Sequence, residues 1–414
     1  MNLTHGRPHR HSVYIVALAA AIVLAWPADR LSGQARQAQP QTPRGIQPDK
    51  DHPILPIGSP APDFSLPGID GQTHTLKEYA GAKVLAVVFE SNHCPVSILY
   101  EERIKQLYND YRGKGVALVA INPNNPGAVR LDEQGYTDVS DSLEEMKIRS
   151  AFRKRQWPFL YDGETQAVSA KFGVVATPHI FIFDAARRLQ YQGRIDDNIR
   201  PDLVKARDAR NALDALLAGR PVPVAQTGAF GCATKWLTKA TGVEQEKARI
   251  AAEPVTLEAT TAAQLEAIRA NSTGKHLLVN FWSTGCADCV SQFHGLQTTF
   301  RMYRNRSGRY AHLQLVTVST DPPAKREDVL AFLRKEQASS QNFQLASVDR
   351  RALQAVWGTS WDPATSFTVV IAPDGKVVYQ RAGKLDILTL RRAILASMPD
   401  VVAYPGQQAY WSGK

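Results

Sequence analysis

The order strand, cysteine, helix, strand occurs twice along this chain, and it restricts the possible folds more than any other feature. The apolar run Val84 to Phe89 (VLAVVF) reads as a buried strand, and Cys94 follows five residues later. Ile98, Leu99, Ile104, Leu107, Tyr108 and Tyr111 then recur at helical spacing, before a second strand from Val116 to Ile121. In the later copy, Leu277 to Trp282 reads as a strand, Cys286 follows after four residues, a helical segment runs through Phe300, and Leu313 to Ser319 returns as a strand. Each copy is a βαβ unit with a cysteine at the carboxyl end of a strand, where open α/β sheets carry their sites. Both copies also close alike. The first ends with Thr177 to Asp184, Leu189 to Gly193 and a helix from about Pro201 to Leu217; the second ends with Thr365 to Gly375, Lys376 to Tyr379 and a helix from about Leu385 to Met398. The expected fold class is α/β, two tandem domains with a central mixed sheet flanked by helices.

Composition agrees. A length of 414 residues allows two or three domains at roughly 150 residues each, and 44% hydrophobic with 21% charged content excludes a disordered chain. The cysteines Cys94, Cys232, Cys286 and Cys289 are too few to staple domains of this size, so they read as chemistry before scaffolding. The net charge of +10 is partly a terminal effect, since residues before Asp51 carry a surplus of +4, and no Arg/Lys stripe follows. No nucleic-acid partner is expected.

The N-terminus carries His5, Arg7, His9, Arg10 and His11, then the apolar run Val13 to Trp26. That run is shorter than the about 20 residues of a membrane span and suits a signal peptide, with cleavage expected after Ala35; the alternative is an uncleaved anchor, the only route to a membrane. The chain is expected to be exported to a periplasmic or other extracytoplasmic compartment. The expected layout is a signal peptide at 1–35, a disordered tether at 36–56, a first domain at 57–218, a connection bearing Cys232 at 219–254, a second domain at 255–400 and a tail at 401–414.

Cys286 and Cys289 form a C-x-x-C at a helix start, where free backbone N–H groups and the helix dipole favour the first thiolate and the second thiol can release a mixed disulfide. A zinc site would need two more soft ligands, and no second C-x-x-C exists; a copper site with a distant histidine stays open. Asp288, beside Cys289, disfavours a neighbouring thiolate by like charge. That predicts a reducing couple, with a potential not well above about −200 mV.

The pattern F-W-x-x-x-C-x-x-C and the turn Pro373 to Gly375 resemble the thioredoxin-like domain of exported reductases (TlpA-like), over about Thr256 to Pro399. Such domains place a cis-proline where Ser366 stands, touching substrate backbone, and thioredoxin carries a buried aspartate where Asn280 stands. The first domain resembles the AhpC/TSA redoxins, the peroxiredoxin-like branch of the same superfamily. That resemblance rests on Gly58 to Leu66 (GSPAPDFSL), Asp70, Gly71, Leu76, Tyr79, Gly81 and Lys83, and covers about Gly58 to Leu217. It implies that Cys94 is the peroxidatic cysteine and that Ser97 stands where a thioredoxin keeps its second cysteine. Of the groups that arrange peroxide in peroxiredoxins, Ser91 matches the hydroxyl, Val87 replaces the proline, and Arg194 is the candidate for the arginine. Pro178, preceded by Thr177, matches the cis-proline that docks substrate backbone. His93 either lowers the Cys94 pKa or hydrogen-bonds the backbone of its turn. Cys232 is a resolving partner of Cys94, half of a static disulfide, or a buried free thiol.

Together these readings predict a thiol–disulfide oxidoreductase without a cofactor beyond its cysteines. Its substrate would be a peroxide or a protein disulfide, and an external thiol would be the donor. Cys94 and Cys232 would be recycled by Cys286/Cys289 across a flexible connection of about 24 residues, spanning roughly 27 Å. Reduction of exported disulfides such as those of apocytochrome c, and a non-enzymatic copper-binding or assembly role, are the alternatives.

Overall fold

The computed structural model describes residues 45–306, 313–347, 349–358, 361–362 and 364–413. The expected signal peptide, its cleavage site and most of the expected tether lie outside the described residues.

A short antiparallel hairpin, β1 (Ser65–Pro67) and β2 (Thr73–Thr75), leads the first half. Then follow β3 (Val84–Phe89), α1 (Pro95–Tyr111), β4 (Val116–Asn122), α2 (Leu143–Arg153), β5 (Phe159–Tyr161), α3 (Ala167–Phe172), β6 (Ala176–Thr177), β7 (His179–Phe183), β8 (Leu189–Gly193) and α4 (Asp208–Leu217). The central sheet has the order β5-β4-β3-β7-β8, with β3, β4 and β5 parallel and β7 and β8 antiparallel. β3 is buried at every position because it is central and covered on both faces. Val84, Ala86 and Val88 enter the core shared with α1 and α4, while Leu85, Val87 and Phe89 enter the core beside α3. This two-residue alternation is what the pleat requires.

A connection with β9 (Cys232–Ala233) and α5 (Thr241–Ala251) leads to the second half. Its elements are β10 (Glu258–Thr260), α6 (Ala262–Ala270), β11 (His276–Trp282), α7 (Ala287–Tyr303), β12 (Leu313–Ser319), α8 (Arg326–Lys335), β13 (Gln341–Leu345), α9 (Arg350–Trp357), β14 (Phe367–Ile371), β15 (Val377–Ala382), α10 (Ile387–Ser397) and α11 (Gln407–Ser412). The sheet order β10-β13-β12-β11-β14-β15 repeats the first sheet strand for strand and adds β10 at one edge.

Three segments expected to be loose are built into the structure. Within the span read as a tether, Ile46 N–H donates to Ala229 O at 2.8 Å, Leu55 N–H donates to Phe172 O at 3.1 Å, and Ile54 packs on the core beside α3. The connection is tied down as well: β9 pairs with β6, and the α5 carboxylate Glu246 accepts from Leu131 N–H at 2.7 Å. The expected tail forms α11, whose Gln407 Nε2 donates to Pro95 O at 3.0 Å. In each case apolar burial and backbone pairing supply the order that a polar, proline-rich composition does not advertise.

The halves also share a core. Ile98 of α1 packs in one cluster with Leu296, Tyr303, Ile394 and Trp411. Tyr303 Oη donates to Thr137 O at 2.8 Å, and the fully buried Asp138 accepts from Arg149 Nε at 3.0 Å and Arg392 Nε at 2.6 Å.

Candidate functional site

The chain leaves β3, turns through Glu90 to His93, and starts α1 at Pro95, whose missing N–H costs the first helical turn nothing. Cys94 is therefore the N-cap, and Ser97 N–H donates to its sulfur at 3.4 Å. Antiparallel pairing of β3 with β7 brings the preceding β6 alongside. The cis Thr177–Pro178 bond sits there, with Thr177 O 3.1 Å from Cys94 Sγ and Thr177 Oγ1 2.9 Å from Ser91 Oγ. Ser91, Thr177 and Pro178 are thus gathered around Cys94 as expected.

His93 is joined by a residue that the sequence reading missed. Asp141, buried in the loop before α2, accepts from His93 Nδ1, from Asn92 N–H at 2.7 Å and from Asn124 Nδ2 at 3.2 Å. Burial alone would push the His93 pKa down, but the Asp141 charge and hydrogen bond outweigh it and raise the pKa. The opposite balance holds at Cys94. Burial pushes the thiol up, while a hydrogen bond from the Cys232 thiol, the His93 charge and Ser97 N–H together bring it down to about 6. Cys232 is driven up by that same hydrogen bond and by burial. As a thiol Cys94 can donate to Thr177 O, and its sulfur accepts from Ser97 N–H.

Cys232 stands opposite Thr177 in the β6–β9 register. Both Cys94 and Cys232 are free thiols in this structure, Cys94 fully buried and Cys232 partly exposed. A cavity of about 300 Å³ opens on Cys232, and His93, Lys235 and Arg130 line it together with Asn305 and Tyr404 of the second half. Arg194 does not line it: its Nε is held by Asp208 Oδ2 at 2.7 Å, because the end of β8 meets the start of α4. The cations at the cavity are instead Lys235, paired with Glu133 at 2.5 Å, and Arg130, paired with Asp132 at 2.9 Å. No motif marks Asp141, Lys235 or Tyr404 in the sequence; only the fold brings them together.

The second site is simpler. Cys286 caps α7, Cys289 N–H faces its sulfur at 3.2 Å, and the two are disulfide-bonded, Cys286 partly exposed and Cys289 buried. Ser366, in the place of the absent proline, accepts from Gln292 Nε2 at 2.6 Å, and Asn280 Nδ2 donates to Thr368 Oγ1 at 3.0 Å. Asp288 is exposed, and His294 on the outer face of α7 lies 3.8 Å from Glu336. Among the described residues no group of three or more His, Cys, Asp or Glu side chains is arranged to hold a metal.

The two cysteine pairs lie toward opposite ends of α7. That helix has 17 residues, about 25 Å at the usual rise; Cys286 caps its start, while Tyr303 at its end contacts Thr137 and Asn305 lines the Cys94 side. Exchange requires sulfur-to-sulfur contact. The shared core holds the two halves together, so the relay expected along a flexible connection would have to bridge the length of α7.

Comparison with known proteins places this geometry. The AhpC/TSA family model matches residues 57–192. A provisionally named peroxiredoxin of Mycobacterium tuberculosis is 27% identical over 142 residues, 30% of this chain and 90% of the relative. The thiol-disulfide oxidoreductase ResA of Geobacillus thermodenitrificans is 27% identical over 128 residues, 31% of this chain and 63% of ResA. Among solved structures, a hypothetical protein from Sinorhizobium meliloti is 34% identical, with 46% of this chain and 98% of that one covered and a TM-score of 0.40. Residues 57–192 thus match the AhpC/TSA family, and both halves of the chain carry a mixed sheet flanked by helices.

Proposed function

We propose that the first site is a two-cysteine thiol peroxidase. The Cys94 thiolate attacks the outer oxygen of a peroxide, breaks the O–O bond and becomes a sulfenic acid, while the leaving alkoxide or hydroxide takes up a proton. The Cys232 thiol then attacks the sulfenic sulfur, giving a Cys94–Cys232 disulfide and water, and an external dithiol restores both thiols. The observation that carries this reading is the β6–β9 register, which sets Cys232 opposite Thr177, the residue whose carbonyl oxygen lies 3.1 Å from the Cys94 sulfur.

The partly exposed Cys286/Cys289 couple supports a second activity, reduction or exchange of disulfides in other exported proteins. An exported location, with membrane contact only through the N-terminal segment, belongs to the same proposal. Peroxide consumption driven by dithiothreitol tests the first reading. Cys94→Ser should lower it to background, and one equivalent of peroxide should give a Cys94–Cys232 disulfide by peptide mapping. Undiminished consumption in Cys94→Ser would overturn the assignment.

A further inference from the structure

The strand β9 lies on a particular edge. β6 carries Thr177 directly beside the Cys94 sulfur, and Cys94 itself is 0% exposed. A polypeptide that presented a sulfur to Cys94 alongside Thr177 would meet the edge of β6, where an extended segment can add as a strand. β9 already lies there, antiparallel, with Cys232 opposite Thr177 and Ala233 opposite Ala176. The pairing continues beyond β9: Thr234 N–H donates to Val175 O at 3.2 Å, Thr234 Oγ1 donates to Val174 O at 2.7 Å, and Lys235 N–H donates to Asn124 Oδ1 at 2.9 Å. The approach depends on Gly231, which has a φ of 147° and where a Cβ would lie 2.0 Å from Thr177 O.

We infer that β9 is a built-in occupant of the polypeptide-docking edge of the first site. The chain's own Cys232 strand fills the place a foreign disulfide strand would take, which reserves Cys94 for small oxidants and for exchange with Cys232. This rests on the proposed role of Cys94. One consequence concerns recharging. Foreign thiols meet the Cys94–Cys232 disulfide from the cavity, hence at Cys232. Attack there forms a bond from the foreign sulfur to Cys232, breaks the disulfide and releases the Cys94 thiolate, the better leaving group. The second thiol of a dithiol donor then attacks the mixed disulfide and frees Cys232, so the donor is oxidised by two electrons.

The test uses full-length protein carrying Cys286→Ser and Cys289→Ser, so that only the first site reacts. Adding Cys232→Ser leaves β9 in place without its thiol. Hydrogen peroxide should then give a dimedone-reactive sulfenic acid at Cys94, while insulin, a polypeptide disulfide, is captured at Cys94 at least about 100-fold more slowly. Adding Gly231→Val, which forces β9 off the edge, should raise insulin capture at Cys94 by about tenfold or more. The inference is overturned if insulin is captured equally well with and without Gly231→Val. Should Gly231→Val fail to give a folded melt, the Cys232→Ser protein decides alone: insulin capture within about tenfold of the peroxide rate overturns the inference. If peroxide leaves Cys94 untouched and insulin is still excluded, the peroxidase reading fails while the occupied edge stands.

Discussion

The two cysteine sites start from the same backbone solution and end in different chemistry. In each, a central strand feeds a 17-residue helix capped by a cysteine sulfur. Around Cys286 the second sulfur comes from the next helical turn; Asn280, Ser366, Gln292 and Thr368 nearby are neutral, and the buried Asp321 carboxylate accepts from Thr284 N–H at 2.8 Å and from the Thr284 hydroxyl, with no imidazole between it and the cysteine. Around Cys94 the second sulfur arrives on a distant strand, and the support is ionic, from Asp141 through His93. The fold therefore supplies the helix end, and what surrounds it decides whether a thiolate is stabilised by charge or a disulfide is closed locally. A sulfur on a separate strand also covers its partner, whereas a sulfur in the same helix leaves the cap partly exposed.

The docking of the halves keeps these sites apart, so the largest effect is expected there. Asp138 is buried between Arg149 and Arg392. Asp138→Ala leaves two guanidinium groups without their carboxylate and should cost about 3–5 kcal/mol in denaturant unfolding. If the halves then separate, Cys286/Cys289 should begin to exchange with Cys94–Cys232 within one chain; a loss below about 1 kcal/mol would show that the interface does not hold them.

Asp141→Asn tests the charge difference. Without the carboxylate the His93 charge is no longer held, and the Cys94 pKa should move from about 6 toward the ordinary 9.0. The thiolate fraction at pH 7 would fall by up to about 90-fold, and peroxide reactivity with it. The sign follows from the depressed pKa: in the parent protein the rate is full above about 6 and is lost as pH falls through it. The variant should need a more alkaline pH. A stopped-flow pH profile reads both, and an unshifted profile would remove Asp141 from the account.

This contrast was only half legible in the sequence. Continuous apolar runs exposed both central strands, and the cysteine after each run placed both helix caps, because burial and capping are local properties. Thr177, Pro178, Ser91 and His93 could be assigned from spacing and family resemblance. Asp141, Lys235 and Tyr404 could not, since each reaches the site through a loop or a segment whose path is set by packing far along the chain. Arg194 was misplaced for the same reason: its neighbour Asp208 is distant in sequence but adjacent across the end of β8. The linker and tail read as loose because their polar composition hides the few apolar and backbone contacts that fix them.

Ser366→Ala sharpens the neutral side of the comparison. It leaves Gln292 Nε2 without its acceptor in a buried place, which should cost about 1–3 kcal/mol of stability while the peroxide rate at Cys94 stays unchanged. A drop in that rate would mean the two sites are coupled through the shared core.

Asp288→Asn should have the smallest effect. Its like charge beside Cys289 suggests a more reducing couple, yet the carboxylate is exposed while Cys289 is buried. Water and salt screen such a charge, so its effect on the thiolate is held to about 0.2–1 kcal/mol, the range of exposed ion pairs. For a two-electron couple that corresponds to a shift of about 4–20 mV, toward a more oxidising potential once the charge is removed. Equilibration with a glutathione buffer measures it. A shift several times larger would mean that the second site, like the first, is governed by charge.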